Sequence, residues 1–170
     1  MNILEMEPRR LRKIISGGQV GADRGGLEAA RDLGLETGGT APLGYRVEGG
    51  DDPSLRLFGL VQSASREYAP RTRDNVRDSD ATLIIASNPG SPGCHLTQSL
   101  CRLMKKSTFI VRPGHDKTLG LADWVSLHNV EVLNVAGNRD KHPLRPRDVH
   151  YDAAYSTIHQ LVLELRRRAE

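Results

Sequence analysis

Twice in this chain an apolar run ends in a glycine-rich turn that opens a helical pattern. The first instance is Ile14-Ile15 followed by Ser16-Gly17-Gly18-Gln19-Val20-Gly21-Ala22-Asp23-Arg24. The second is Leu83-Ile84-Ile85-Ala86 followed by Ser87-Asn88-Pro89-Gly90-Ser91-Pro92-Gly93-Cys94. A strand that turns through glycines into a helix aims backbone N–H groups at one point. The helix N-terminus adds partial positive charge there, so each loop suits an anion such as phosphate. Loops at the carboxyl ends of parallel strands meet across the switch point of an open α/β sheet. The expected ligand position is that edge.

The 170 residues suit one domain with helices on both faces of a sheet. Aromatics make up 4% of the chain, so the core has to rest on Leu, Ile, Val and Ala. A net charge of +3 suits an anionic ligand without implying nucleic acid. Cys94 and Cys101 fall on one helical segment. Two cysteines so placed argue against a disulfide framework and for a reducing, cytoplasmic setting. No apolar run is long enough to span a membrane, and the polar start reads as a flexible arm over residues 1–10.

Strand and helix patterns alternate along the chain. Strands are expected over residues 11–16, 36–40, 81–86, 108–111 and 130–135, with a weaker one within 55–64. Helices are expected over 21–33, 70–78, 93–106, 118–128 and 153–168. The run 81–86 is apolar on both faces, as a central parallel strand is, and 41–52 reads as a loop rich in Gly and Pro. Leu96, Leu100 and Leu103 form the expected inner stripe of their helix. The last helix carries Ala154, Ile158, Leu161, Val162 and Leu165 on its own. The alternation predicts a Rossmann-like three-layer α/β fold with a mostly parallel sheet.

Two common nucleotide-binding signatures are absent. The dinucleotide fingerprint wants G-x-G-x-x-G, and the first loop reads Gly17-Gly18-x-x-Gly21. Its acid should end the second strand; Glu36 has the spacing but falls at the strand's start. No Gly-Lys-Ser/Thr of a P-loop occurs.

Four ordered blocks resemble the YpsA-like branch of the SLOG superfamily, labelled "putative molybdenum carrier" and related to the lysine-decarboxylase-like proteins. They are Ile14 to Arg24, Gly38-Gly39-Thr40-Ala41-Pro42-Leu43-Gly44-Tyr45-Arg46, the polar stretch Arg71 to Leu83, and Leu133-Asn134-Val135-Ala136-Gly137. The resemblance implies a single Rossmann-like SLOG domain over residues 1–170 and a pocket for a nucleotide-derived or other phosphorylated small molecule. It also implies a homodimer or higher homo-oligomer. One block departs from the pattern: Cys94 stands where a threonine of the phosphate loop is expected. The superfamily's phosphoribohydrolases use a glutamate just beyond, where this chain has Thr97, Gln98 and Ser99. Glycosidic cleavage by that mechanism lacks its carboxylate here.

The candidate ligand-binding residues are Gly17, Gly18, Gln19, Gly21, Asp23 and Arg24 in the first loop, and Thr40, Pro42, Gly44 and Arg46 in the second. Arg71 and Asn75 share a face of the polar helix at i, i+4. Asn88, Gly90, Gly93, Cys94 and Thr97 complete the set. Several have structural alternatives. The glycines also serve tight turns, and Asp23 either complements the helix dipole or contacts a ribose hydroxyl or metal. No metal site is expected, because Cys94-His95 and the histidines at 115, 128, 142, 150 and 159 lack ligand spacing.

Two classes of function stay open. One is binding of a phosphorylated small molecule, with or without N-glycosidic or phosphate-ester hydrolysis. The other is a non-catalytic carrier or sensor, with molybdenum cofactor or a signal nucleotide as ligand. Nucleic acid is a poor fit, since single-strand binding needs aromatic stacking surfaces, and no membrane partner is expected.

Overall fold

The computed structural model describes residues 10–114, 118–140 and 149–170. The expected arm, apart from Arg10, and His115 and His142 fall outside these.

The carboxyl edge where the glycine-rich loops lie belongs to a six-stranded parallel sheet of order β5-β2-β1-β8-β6-β7. Its strands are β1 (Lys13–Ile15), β2 (Glu36–Ala41), β5 (Leu60–Gln62), β6 (Ala81–Ile85), β7 (Ser107–Val111) and β8 (Val132–Gly137). Between β2 and β5 lies a short antiparallel pair, β3 (Arg46–Val47) and β4 (Gly50–Asp51). The helices are α1 (Ala22–Asp32), α2 (Tyr68–Arg77), α3 (Pro92–Leu103), α4 (Leu121–Leu127) and α5 (Val149–Arg167).

Alternation along each strand sorts the core into two layers. Ile14, Leu83, Ile85, Leu133 and Val135 face α1, α4 and α5, where Ala22, Ala29, Ala30, Ala154 and Ile158 are fully buried. Ile84 and Ala86 turn the other way, onto Cys94 of α3, and α2 packs beside α3. The expected three-layer α/β architecture is the observed one.

Four details differ from the expectation. The 81–86 strand is buried on both faces yet stands second from the edge, because β8 inserts between β1 and β6 and takes the centre with β1. The inner face of α3 is Cys94, Thr97 and Cys101, while Leu103 is 77% exposed. Helical periodicity marks more than one stripe on that helix. The sheet takes the smaller side chains because the first turn of α3 is drawn close onto Ile84 and Ala86. In the 55–64 stretch, Asp52 caps a helical turn over Pro53–Phe58, and Gly59 at φ 75° ends it, leaving a strand of three residues. The 41–52 loop contains the β3–β4 pair.

Candidate functional site

All six sheet strands are parallel, so the loops after β1, β2, β6 and β8 leave the same edge. The β1 loop folds inward on itself. Ser16, fully buried, accepts the Gly18 amide through Oγ at 3.1 Å. The Asp23 carboxylate accepts the amides of Gln19, at 3.2 Å, and Gly17. The N–H groups that the sequence offers to an external anion therefore already hold an internal one. Arg71 of α2 lies across this loop, with Nη1 3.5 Å from Asp23 Oδ2. A Cβ on Gly17 would sit 2.0 Å from that nitrogen, so only glycine leaves the guanidinium room. Burial pushes the Asp23 carboxyl above its ordinary value, against the pull of Arg71 and of the two amides.

The loop after β8 ties the edge together, and Asn138 does most of the work. Its Oδ1 accepts the Asn88 amide at 2.9 Å, and its Nδ2 donates to Ser91 Oγ at 3.0 Å. Its backbone carbonyl accepts the Ala22 amide at 3.3 Å. One residue thus fastens the β6 loop to the start of α1. Gly21, at φ 95°, is what lets that loop approach: a Cβ there would meet Asn138 O and Asp140 N at 2.7 Å.

Beside this junction three guanidinium groups surround one ring. Arg46, Arg139 and Arg71 lie 4.8, 5.1 and 5.5 Å from the centroid of Tyr68. Arg46, Arg66, Arg139, Tyr68 and the 47–50 backbone line a depression of about 350 Å³. Arg66 pairs with Asp51 at 2.9 Å, and Arg139 with Glu48. Two buried donors nearby have no hydrogen-bond acceptor among the described residues: Arg71 Nε and Gln19 Nε2. A larger cavity, about 630 Å³, lies by α4 and the end of α5. Its walls are mainly Leu11, Leu35, Val125, Val162 and Leu165, and Arg166 and Arg168 at its rim are already bonded. The convergent cationic chemistry is at the loop edge.

The remaining expected residues take varied positions. Asn75 clamps β2 to α2: Oδ1 accepts the Thr40 amide at 2.8 Å and Nδ2 donates to Thr40 O at 2.9 Å. Gln19 Oε1 accepts the Glu48 amide at 2.7 Å. Arg24 turns to the 53–58 turn, pairing with Glu28 and Asp52 at 3.0 Å each and lying over Phe58. Gly44 donates to Gln62 Oε1 at 2.6 Å, and Pro42 accepts the Tyr45 amide at 2.9 Å. Gly90 donates to Asn88 Oδ1 at 3.1 Å, and the Thr97 hydroxyl to Gly93 O at 3.0 Å. Cys94 is buried with its sulfur 3.4 Å from Asn138 Nδ2; burial pushes its thiol pKa up. The start of α3, beyond Ser91, has no side-chain cap. Among the described residues no three His, Cys, Asp or Glu side chains gather as a metal site.

Sequence reasoning missed Tyr68, Arg66, Asn138 and Arg139. For the last two a signal existed: Gly137 ends an apolar run, as in the two loops singled out. Tyr68 and Arg66 carry no such mark, since only folding brings their segment beside Arg139.

A parallel three-layer α/β sheet with its polar loops gathered at the carboxyl edge defines a Rossmann-like protein. The chain belongs to the circularly permuted YpsA family of SLOG proteins, whose model matches residues 14–160. Among solved structures it is similar to the "Putative molybdenum carrier protein" of Syntrophus aciditrophicus SB. The two share 31% identity with a TM-score of 0.76, over 90% of this chain and 97% of the other. No curated protein matches the chain.

Proposed function

We propose that the protein binds a phosphate-bearing, nucleotide-derived small molecule at the carboxyl edge of the sheet, between the 17–24, 40–46 and 88–94 loops. The observation that carries this reading is the cluster of Arg46, Arg71 and Arg139 around Tyr68, with Arg71 Nε buried and lacking a hydrogen-bond acceptor among the described residues. A buried donor without an acceptor costs about 1–3 kcal/mol, which an incoming oxyanion would offset. A phosphate on the Gly17 and Gln19 amides would compete with Asp23. The uncapped start of α3 and the arginines are therefore the better seat, with Asp23 left to meet ribose hydroxyls.

Arg71 supplies a charge-assisted contact made largely out of water, on the order of 1.5–3 kcal/mol. Arg71→Ala is expected to weaken binding of AMP or ADP-ribose at least tenfold, and Asp23→Ala to weaken these more than inorganic phosphate. Calorimetric titration of the three ligands against wild type and both variants decides. Equal affinities across the three proteins would remove the assignment.

The name of the Syntrophus protein favours a second reading, a carrier without chemistry, with molybdenum cofactor as cargo. A phosphate-bearing cofactor would use the same arginines. Mass spectrometry of the native protein separates the readings by the mass of any co-purified ligand. Incubation with the bound nucleotide, followed by product analysis, tests N-glycosidic or phosphate-ester hydrolysis. The free, buried Cys94 and Cys101 fit a reducing compartment, the cytoplasm.

A further inference from the structure

The geometry points to a second, catalytic constellation at the same edge: a nucleophilic serine, Ser87, served by His150 and Asp140, that hydrolyses carboxylic esters. It stands independently of the phosphate-binding reading.

Ser87 is the second residue beyond β6, exposed at the carboxyl edge. Its Oγ lies 2.9 Å from His150 Nε2, and the other ring nitrogen, Nδ1, lies 2.8 Å from Asp140 Oδ1. The side chain of His150 is 15% exposed and that of Asp140 is 4% exposed. The three groups thus run from solvent to interior in the order nucleophile, base, orienting carboxylate. Three elements bring them together: the end of β6, the loop after β8 and the first turn of α5.

The partners fix the tautomer. Nδ1 faces a carboxylate, which only accepts, so Nδ1 carries the proton. Nε2 faces the Ser87 amide, at 3.3 Å, as well as the hydroxyl, so it presents its lone pair to them. That is the tautomer a general base needs. The carboxylate is itself immobilised, accepting the backbone amides of His150 at 3.2 Å and Tyr151 at 3.1 Å.

The chemistry follows from the roles. Ser87 Oγ attacks the ester carbonyl carbon as its proton passes to His150 Nε2. The carbon–alkoxide bond breaks, and His150 returns the proton to the departing alkoxide, leaving acyl-Ser87. Water then attacks the acyl carbon and gives a proton to Nε2. The Oγ bond breaks, the proton returns to Oγ, and the acid leaves. The net change is ester plus water to acid plus alcohol.

The test uses the full chain and a fluorophosphonate probe, which phosphonylates activated serines, with p-nitrophenyl acetate as the turnover substrate. The wild type is expected to incorporate the probe at Ser87, located by peptide mass spectrometry. Ser87→Ala abolishes labelling, and His150→Gln slows it at least ~100-fold, the scale of general-base assistance. Asp140 is a positioning residue that also holds the start of α5. Asp140→Asn is expected to lower kcat with KM unchanged, whereas loss of a merely structural contact would lower thermal stability and leave kcat. The depression beside Tyr68 is lined by Arg46, Arg66 and Arg139 and not by Ser87, so Ser87→Ala should bind AMP like the wild type and keep the two readings separable. A folded wild type that takes no label, or a label on another serine, overturns the proposal.

Discussion

Asp23 shows how one buried residue can organise a loop and still oppose the fold. Its carboxylate holds the amides of Gln19 and Gly17 and faces Arg71, yet burial dominates and raises its pKa. For an acid whose folded-state pKa is raised, the folded protein binds more protons than the unfolded chain. Stability then falls as pH rises from the ordinary carboxylate value, about 4, through the raised one. Asp23→Asn keeps an acceptor for the amides and removes the titrating charge. Urea unfolding from pH 4 to 8 should show the wild type losing stability relative to Asp23→Asn as pH rises through that window. A difference between the two proteins that is flat with pH would refute the assignment. The same residue shows why the first loop reads only in part from sequence. The glycines and the acid are visible, but that the acid occupies the loop's own amides depends on how the chain closes at Gly21.

At the scale of one element, α3 marks where periodicity stops. The spacing of Leu96, Leu100 and Leu103 is helical, and the segment is a helix; the side that meets the sheet carries Cys94, Thr97 and Cys101 instead. Hydrophobic size predicts burial when a helix packs on an open apolar surface. Here the start of α3 is fastened through Ser91 and Cys94 to Asn138, and the close approach admits only small side chains. Burial pushes both thiols above their ordinary value, so the thiolate fraction at pH 8 is low. Iodoacetamide should modify Cys94 and Cys101 more than tenfold more slowly in the native protein than in urea. Native labelling at the unfolded rate would show the helix to be turned the other way.

At the scale of the molecule, β7 is an edge strand of the sheet, and the helices before and after it each end on an exposed leucine. Leu103, the last residue of α3, and Leu127, the last of α4, are 77% and 76% exposed. Exposed edges and apolar side chains of this kind invite pairing with a second copy. A homodimer is expected by sedimentation at micromolar concentration, with Leu103→Glu shifting it toward the 18.7 kDa monomer. A wild type that sediments only as monomer would overturn this. The sequence alone determined the strand–helix alternation, the parallel sheet and the edge where the loops gather, because each rests on local pattern: apolar runs, glycine turns and helical spacing. It also carried the SLOG resemblance, though not the circular permutation, since blocks in order along one chain do not show which strand the fold has moved. Only the tertiary structure decided that β8 enters between β1 and β6. That insertion carries Asn138, Arg139 and Asp140 to the loops after β1 and β6, beside Tyr68 and His150. Residues as far apart along the chain as Ala22 and Asn138 meet there through the parallel register and the close packing that Gly21 permits, and neither is written in any local stretch of sequence.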